Sequence, residues 1–171
     1  MPLEPAMTPP PINFNPGPAY ATATRTWHGI PAIDITPNGR LFAAWYSGGT
    51  NEGTENYVIL AGSEDDCATW SDPLFVIDPP GDVRAFDPVL WHNPRGSLWF
   101  FWSQSEGKCD GRFGLWYTTT EASDAPTPQW KEPRRTDDGV MINKPIVLST
   151  GEWMLPVALW DYENITHPAI D

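Results

Sequence analysis

The chain has 171 residues, with 22 Asp and Glu against 10 Lys and Arg, for a formal net charge of −12 at pH 7. That surplus argues against a nucleic-acid partner, whose phosphates need a basic face, and against attachment to an anionic membrane surface. No apolar run approaches the roughly 18 residues that would span a membrane, so neither class of partner is expected.

In chain order, Met1 to Pro18 is proline-rich and has neither the basic start nor the apolar centre of a secretory signal. Residues 1–24 read as an extended, loosely ordered arm. Strands are then expected at 30–35, 40–47, 56–63 and 73–77, with Tyr57-Val58-Ile59-Leu60 giving the third its β-branched and apolar character. Pro79-Pro80-Gly81 breaks the pattern. A second series follows at 86–91, 97–103 and 113–119, with a poorer fourth strand around 129–134. A third shows 141–148 and 152–160. No apolar stripe of period 3.6 is sustained, so no helix is predicted.

These series repeat. Pro31, Pro88 and Pro145 stand 57 residues apart, and each opens a short apolar strand, a Gly-containing turn and a second strand. A fixed period built of strands points to propeller blades, which place their chemistry on the inner strands and the loops at one mouth of a channel. The fold class is therefore all-β, with blades at about 25–81 and 82–138 and an incomplete one at 139–171, two and a half in all. So few blades do not close a ring. The chain is expected to be the N-terminal piece of a longer protein, or to self-associate through exposed blade faces. Ten Trp would mostly fill the space between blades, with one or two left to stack on a sugar at the mouth. Cys67 and Cys109 fall in loops of different repeats with no nearby His pair, so neither a disulfide nor a zinc site is read. That favours a reduced, cytoplasmic compartment. No metal and no cofactor are expected.

The corner between the third and fourth strands of the first repeat carries a second signal, Ser63-Glu64-Asp65-Asp66-Cys67-Ala68-Thr69-Trp70. It fits S-x-D-x-G-x-T-W with Cys67 in the place of glycine; the Asp can accept N–H bonds from its own turn and the Trp can pack under the neighbouring strand. In the second repeat Trp130 follows a longer loop, Ser123 to Gln129, and the pattern is lost. The octapeptide resembles the Asp box of sialidases, and the resemblance runs from about Arg25 to the end. It implies a six-bladed sialidase-type β-propeller with BNR-type repeats. Sialidases hold a substrate carboxylate with three arginines, since planar guanidinium grips carboxylate with paired hydrogen bonds. The first would stand just before Ile30-Pro31, where this chain has Gly29, and a further one would fall near Gly48. The family's acid/base aspartate belongs to a loop that here runs from Ser47 to Asn56 and holds Glu52 and Glu55 but no aspartate. Its nucleophilic tyrosine, the glutamate partner and the other arginines belong to later blades. A complete sialidase site is not expected.

Candidate residues are sought at the blade starts and in the loops after the second strands, which share one mouth. Glu55 and Asp87 are the carboxyls considered for catalysis, because glycoside hydrolysis uses such a pair; a solvated loop glutamate is the plainer reading of Glu55. Arg84, at the entry of the second repeat, holds the place equivalent to the arginine the first repeat lacks, and is either an anion clamp or a structural partner of Asp87. Asp110 and Arg112 lie in the loop of the second repeat that matches Glu55. Lys144 precedes Pro145 and would face the channel, and His28 could donate to a sugar hydroxyl or satisfy local backbone. The reading is a fragment, itself inactive, of a sialidase-like glycoside hydrolase or related carbohydrate-active enzyme acting on an anionic saccharide. The alternative is a non-catalytic carbohydrate-binding or scaffold propeller.

Overall fold

The computed structural model describes residues 5–108 and 113–160. A short strand β1 (Ile12–Asn13) precedes β2 (Ala32–Ile35), β3 (Leu41–Ser47), β4 (Tyr57–Ser63) and β5 (Phe75–Ile77), and all five form one antiparallel sheet in the order β1-β5-β4-β3-β2. A second antiparallel sheet is a four-stranded meander of β6 (Val83–His92), β7 (Leu98–Glu106), β8 (Gly114–Thr120) and β9 (Arg134–Asp138). The strands expected at 30–35 and 86–91 thus lie in separate sheets, stacked as consecutive blades with β6 against β2, β3 and β4. Among the described residues there is no α-helix, only three single-turn 3-10 helices in the N-terminal arm.

Period-2 alternation builds the contact between the sheets. Phe42, Ala44 and Tyr46 of β3 point one way and are buried, while Leu41, Ala43 and Trp45 point the other. The inward set joins Leu60, Phe75, Phe86, Phe100, Trp102 and Trp116 in one core. Phe75 meets Phe100 and Trp130 edge-on at 5.3 and 5.2 Å, an arrangement that sets the positive rim of one ring against the negative face of the next. On its far side the second sheet packs Val89, Trp91, Phe101 and Leu115 against the third repeat, through Met141 and Trp153.

The third repeat is a broken hairpin. β10 (Val140–Met141) pairs with β13 (Val157–Ala158), and β11 (Ile146–Val147) with β12 (Trp153–Met154). The continuous strands expected at 141–148 and 152–160 are interrupted before Pro145 and at Pro156, residues that cannot donate to a ladder. The fourth strand of the second repeat lies at 134–138 and not at 129–134, because Trp130 turns into the core and Pro133 follows it.

The arm differs most from expectation. Its described part is docked: β1 extends the first sheet beyond β5, and Ala6 is buried with its carbonyl accepting from Gln104 Nε2 at 3.3 Å. Tyr20 donates to Asp78 Oδ2 at 2.7 Å and meets Tyr57 edge-on at 4.9 Å. At the Ser63–Trp70 corner, Asp65 accepts from Thr69 N (2.8 Å), Thr69 Oγ1 (2.7 Å) and Ser63 Oγ (2.9 Å). These bonds hold the Asp65 carboxyl below its ordinary range, the Thr69 hydroxyl contributing most. Cys67 has φ +70°, the left-handed backbone that glycine adopts most readily. Trp70 does not tuck under the neighbouring strand; it is 41% exposed. Beside the corner, buried Arg40 pairs with Glu64 at 2.7 Å and donates to the Ala125 carbonyl at 2.6 Å, tying the first sheet to the long loop of the second.

Candidate functional site

The loop after β3 holds Glu52 and Glu55, and backbone chemistry shapes it. Gly48 has φ +101°, and a Cβ there would lie 2.1 Å from the Glu55 carbonyl, so only glycine lets the loop fold back so tightly. Fully buried Asn56 holds it: its Nδ2 donates to the carbonyls of Gly48 (2.9 Å) and Asn51 (3.0 Å), and its Oδ1 accepts from Gly53 N (2.9 Å). The Asn56 carbonyl accepts from Ala85 N at 2.9 Å, which fastens the loop to β6 in the next sheet. Asn56 is one of two asparagines in this Gly-rich loop, and composition alone does not single it out.

This clasp brings Glu52 to Arg84. Glu52 Oε1 accepts from the Tyr46 hydroxyl at 2.9 Å, and Oε2 lies 3.8 Å from Arg84 Nη1. Arg84 is buried, with its guanidinium 4.0 Å from the centre of the Phe86 ring and 5.8 Å from that of Tyr46. Nη1 also donates to the Lys108 carbonyl at 3.4 Å. Burial, the Glu52 bond and the negative charge of Asp87 hold the Tyr46 hydroxyl well above the ordinary tyrosine range.

Asp87 sits in β6 where the register with β7 shifts between Phe86 and Val89. Its φ is +46°, unusual for a non-glycine and more so before proline, so the bulge holds Asp87 in a strained backbone conformation. Burial pushes the Asp87 carboxyl up to about 6; the Arg84 charge opposes the shift and Glu52 adds to it. A carboxyl held there can carry a proton near neutral pH and give it up, as general acid catalysis requires.

Of the residues singled out from sequence, Arg84 and Asp87 thus share one cluster. Glu55 lies elsewhere: it lines a cleft of about 650 Å³ between arm and first sheet, with Tyr20, Tyr57 and Asp78. Glu52, from the same loop, stands beside Arg84 instead. His28 is exposed, bridges to Ser47 in the sheet, and has its Nδ1 3.3 Å from Ser47 Oγ. Lys144 reaches Asp34 Oδ2 at 3.1 Å, and Asp34 also accepts from His92 N at 2.7 Å, so this lysine ties the third repeat to β2. Asp110 and Arg112 lie outside the described residues, as does Cys109. Among the described residues no group of three or more His, Cys, Asp or Glu is placed to hold a metal ion.

Tyr46 is the participant that sequence gave least reason to choose. A Cβ on Gly29 would lie 2.1 Å from Tyr46 Cζ, so the phenol ring occupies the room a side chain at position 29 would need. The two residues are coupled through backbone as well, Gly29 N donating to the Tyr46 carbonyl at 2.8 Å.

The two stacked antiparallel sheets fit a propeller-type repeat protein. The chain belongs to the BNR repeat-like domain family, which matches residues 39–169. No curated protein sequence matches it significantly. Among solved structures, an α-L-arabinanase of Penicillium chrysogenum complexed with arabinobiose is similar over 91% of this chain, at 15% identity and a TM-score of 0.42. The chain spans 36% of the length of that structure.

Proposed function

We propose that this chain forms part of a carbohydrate-active, glycosidase-like propeller, whose saccharide site lies where the loop at 48–56 meets β6. In this reading the Ser63–Trp70 turn is an Asp box of the sialidase type. Asp87 is the proton donor and Glu52, not Glu55, is the carboxyl beside it, with exposed His28 at the rim to meet a sugar hydroxyl. Arg84 serves as a positioning residue, its buried charge holding Glu52 in place and tempering the rise at Asp87. The observation that carries the reading is Asp87, a buried carboxyl on a strained backbone with its pKa pushed up to about 6 by burial. Alone, the chain binds a saccharide at this site without turning it over.

The test follows the Asp87 carboxyl carbon by NMR across pH, with and without a panel of simple methyl glycosides. A midpoint near 6 that moves when a glycoside binds is expected. A midpoint in the ordinary carboxylate range, unmoved by every glycoside, would overturn the assignment. A non-catalytic carbohydrate-binding propeller is the second reading, favoured by the Tyr46 ring standing where side chain 29 would be. It predicts binding that survives Asp87→Asn undiminished and no hydrolysis of chromogenic glycosides by any longer polypeptide carrying this chain.

A further inference from the structure

We propose that this mouth selects uncharged saccharides over carboxylated ones, and that Tyr46 is the residue that sets the choice. The inference rests on the reading of the mouth as a saccharide site and adds its ligand class. A carboxylated sugar needs an accessible guanidinium or ammonium to grip. The cation at the centre of the cluster does not offer one. The Arg84 side chain is 3% exposed, Phe86 covers one face at 4.0 Å, and Glu52 already stands 3.8 Å from Nη1. Lys144, 46% exposed, is paired with Asp34 at 3.1 Å and is not part of the Arg84–Glu52–Tyr46 cluster.

Tyr46 produces this arrangement in two ways. Its ring fills the volume beside Gly29 from which another side chain could reach the mouth. Its hydroxyl donates to Glu52 Oε1, which steadies that carboxylate over the arginine. Glu52 itself is 48% exposed, so the group an incoming ligand meets is a carboxylate. A carboxylate accepts hydrogen bonds and has none to give. Sugar hydroxyls supply the matching donors, whereas a uronic or sialic acid would set one carboxylate against another and would have to displace Glu52 to reach Arg84. Sequence reasoning takes the ligand as anionic; the enclosed guanidinium is what changes that.

The test uses this chain and two pairs of methyl glycosides that differ only at C6, glucose with glucuronic acid and galactose with galacturonic acid, together with N-acetylneuraminic acid. Binding is read by saturation-transfer NMR and calorimetry. The neutral member of a pair is expected to bind about tenfold tighter or more, as like-charge contacts penalise the acid. Glu52→Gln should narrow that ratio several-fold. Tyr46→Phe, which keeps the ring and removes the tether to Glu52, should narrow it less while leaving the fold intact by circular dichroism. Tighter binding of an acid by the unaltered chain would overturn the selectivity and leave the saccharide site standing. Failure of every sugar to bind would overturn both.

Discussion

The first and second sheets share a four-stranded meander but not an environment. Every residue of β6 except His92 is buried, and β7 is covered nearly as fully, because the second sheet has a neighbour on each face. The first sheet has the second on one face only. On the other the arm covers the Tyr57–Ile59–Val76 end, and Ile33 and Ile35 stay 51% and 53% exposed. A strand's burial therefore reports its neighbours as much as its own sequence: β6 is buried almost throughout, Arg84 and Asp87 included, because both of its faces are used.

The contrast can be broken by substitution. Trp102 is wholly buried between the sheets, with its Nε1 donating to Gln104 at 3.0 Å, and Trp102→Ala should destabilise the chain by about 3–5 kcal/mol in urea titrations. A loss near 1 kcal/mol would mean that the sheets do not form one core. The next effect belongs to Asp87. Its folded-state affinity is raised from 3.8 to about 6, so the native chain binds more protons than the unfolded one between these limits and loses stability as pH rises through them. Asp87→Asn, which mimics the protonated form, should flatten that part of the profile and add about 2–3 kcal/mol at pH 7. An unchanged pH dependence would count against the buried carboxyl. At the corner of the first sheet, Cys67→Gly relieves the left-handed backbone at φ +70° and should raise stability by about 0.5–1 kcal/mol, read as a shift in Tm. Smallest of all, Ile33→Ala on the open face should stay within about 0.5 kcal/mol. A loss above about 2 kcal/mol that depends on protein concentration would instead show the face covered by a second copy.

The repeat was legible because it is written twice in residue type, as Pro anchors 57 residues apart and as period-2 apolar pattern. The corner at Ser63–Trp70 was legible for a local reason, since Asp65 bonds only within its own turn. What stayed hidden is non-local. Nothing near Tyr46 in sequence says that its ring lies against Gly29, or that its hydroxyl selects Glu52 over Glu55. Both follow from the way Asn56 folds the loop and fastens it to Ala85. The arm misled for a related reason: proline-rich composition describes an isolated segment, whereas β1 is ordered by an edge supplied from far along the chain. Proline alone did not say where strands fail: those expected at 141–148 and 152–160 break around Pro145 and at Pro156, whereas β6 runs through Pro88 on a bulge.

That pairing of β1 with β5 bears on the order in which the polypeptide acquires its form during synthesis. Ile12 leaves the ribosome early, yet the residue it must find, Ile77, is made only after β2, β3 and β4. Until then the leading segment has no ladder to join, while the hairpin of β2 and β3 can close from local contacts alone. The first part of the chain to be translated is thus among the last of the first sheet to settle, and its docking marks the moment at which that sheet is whole.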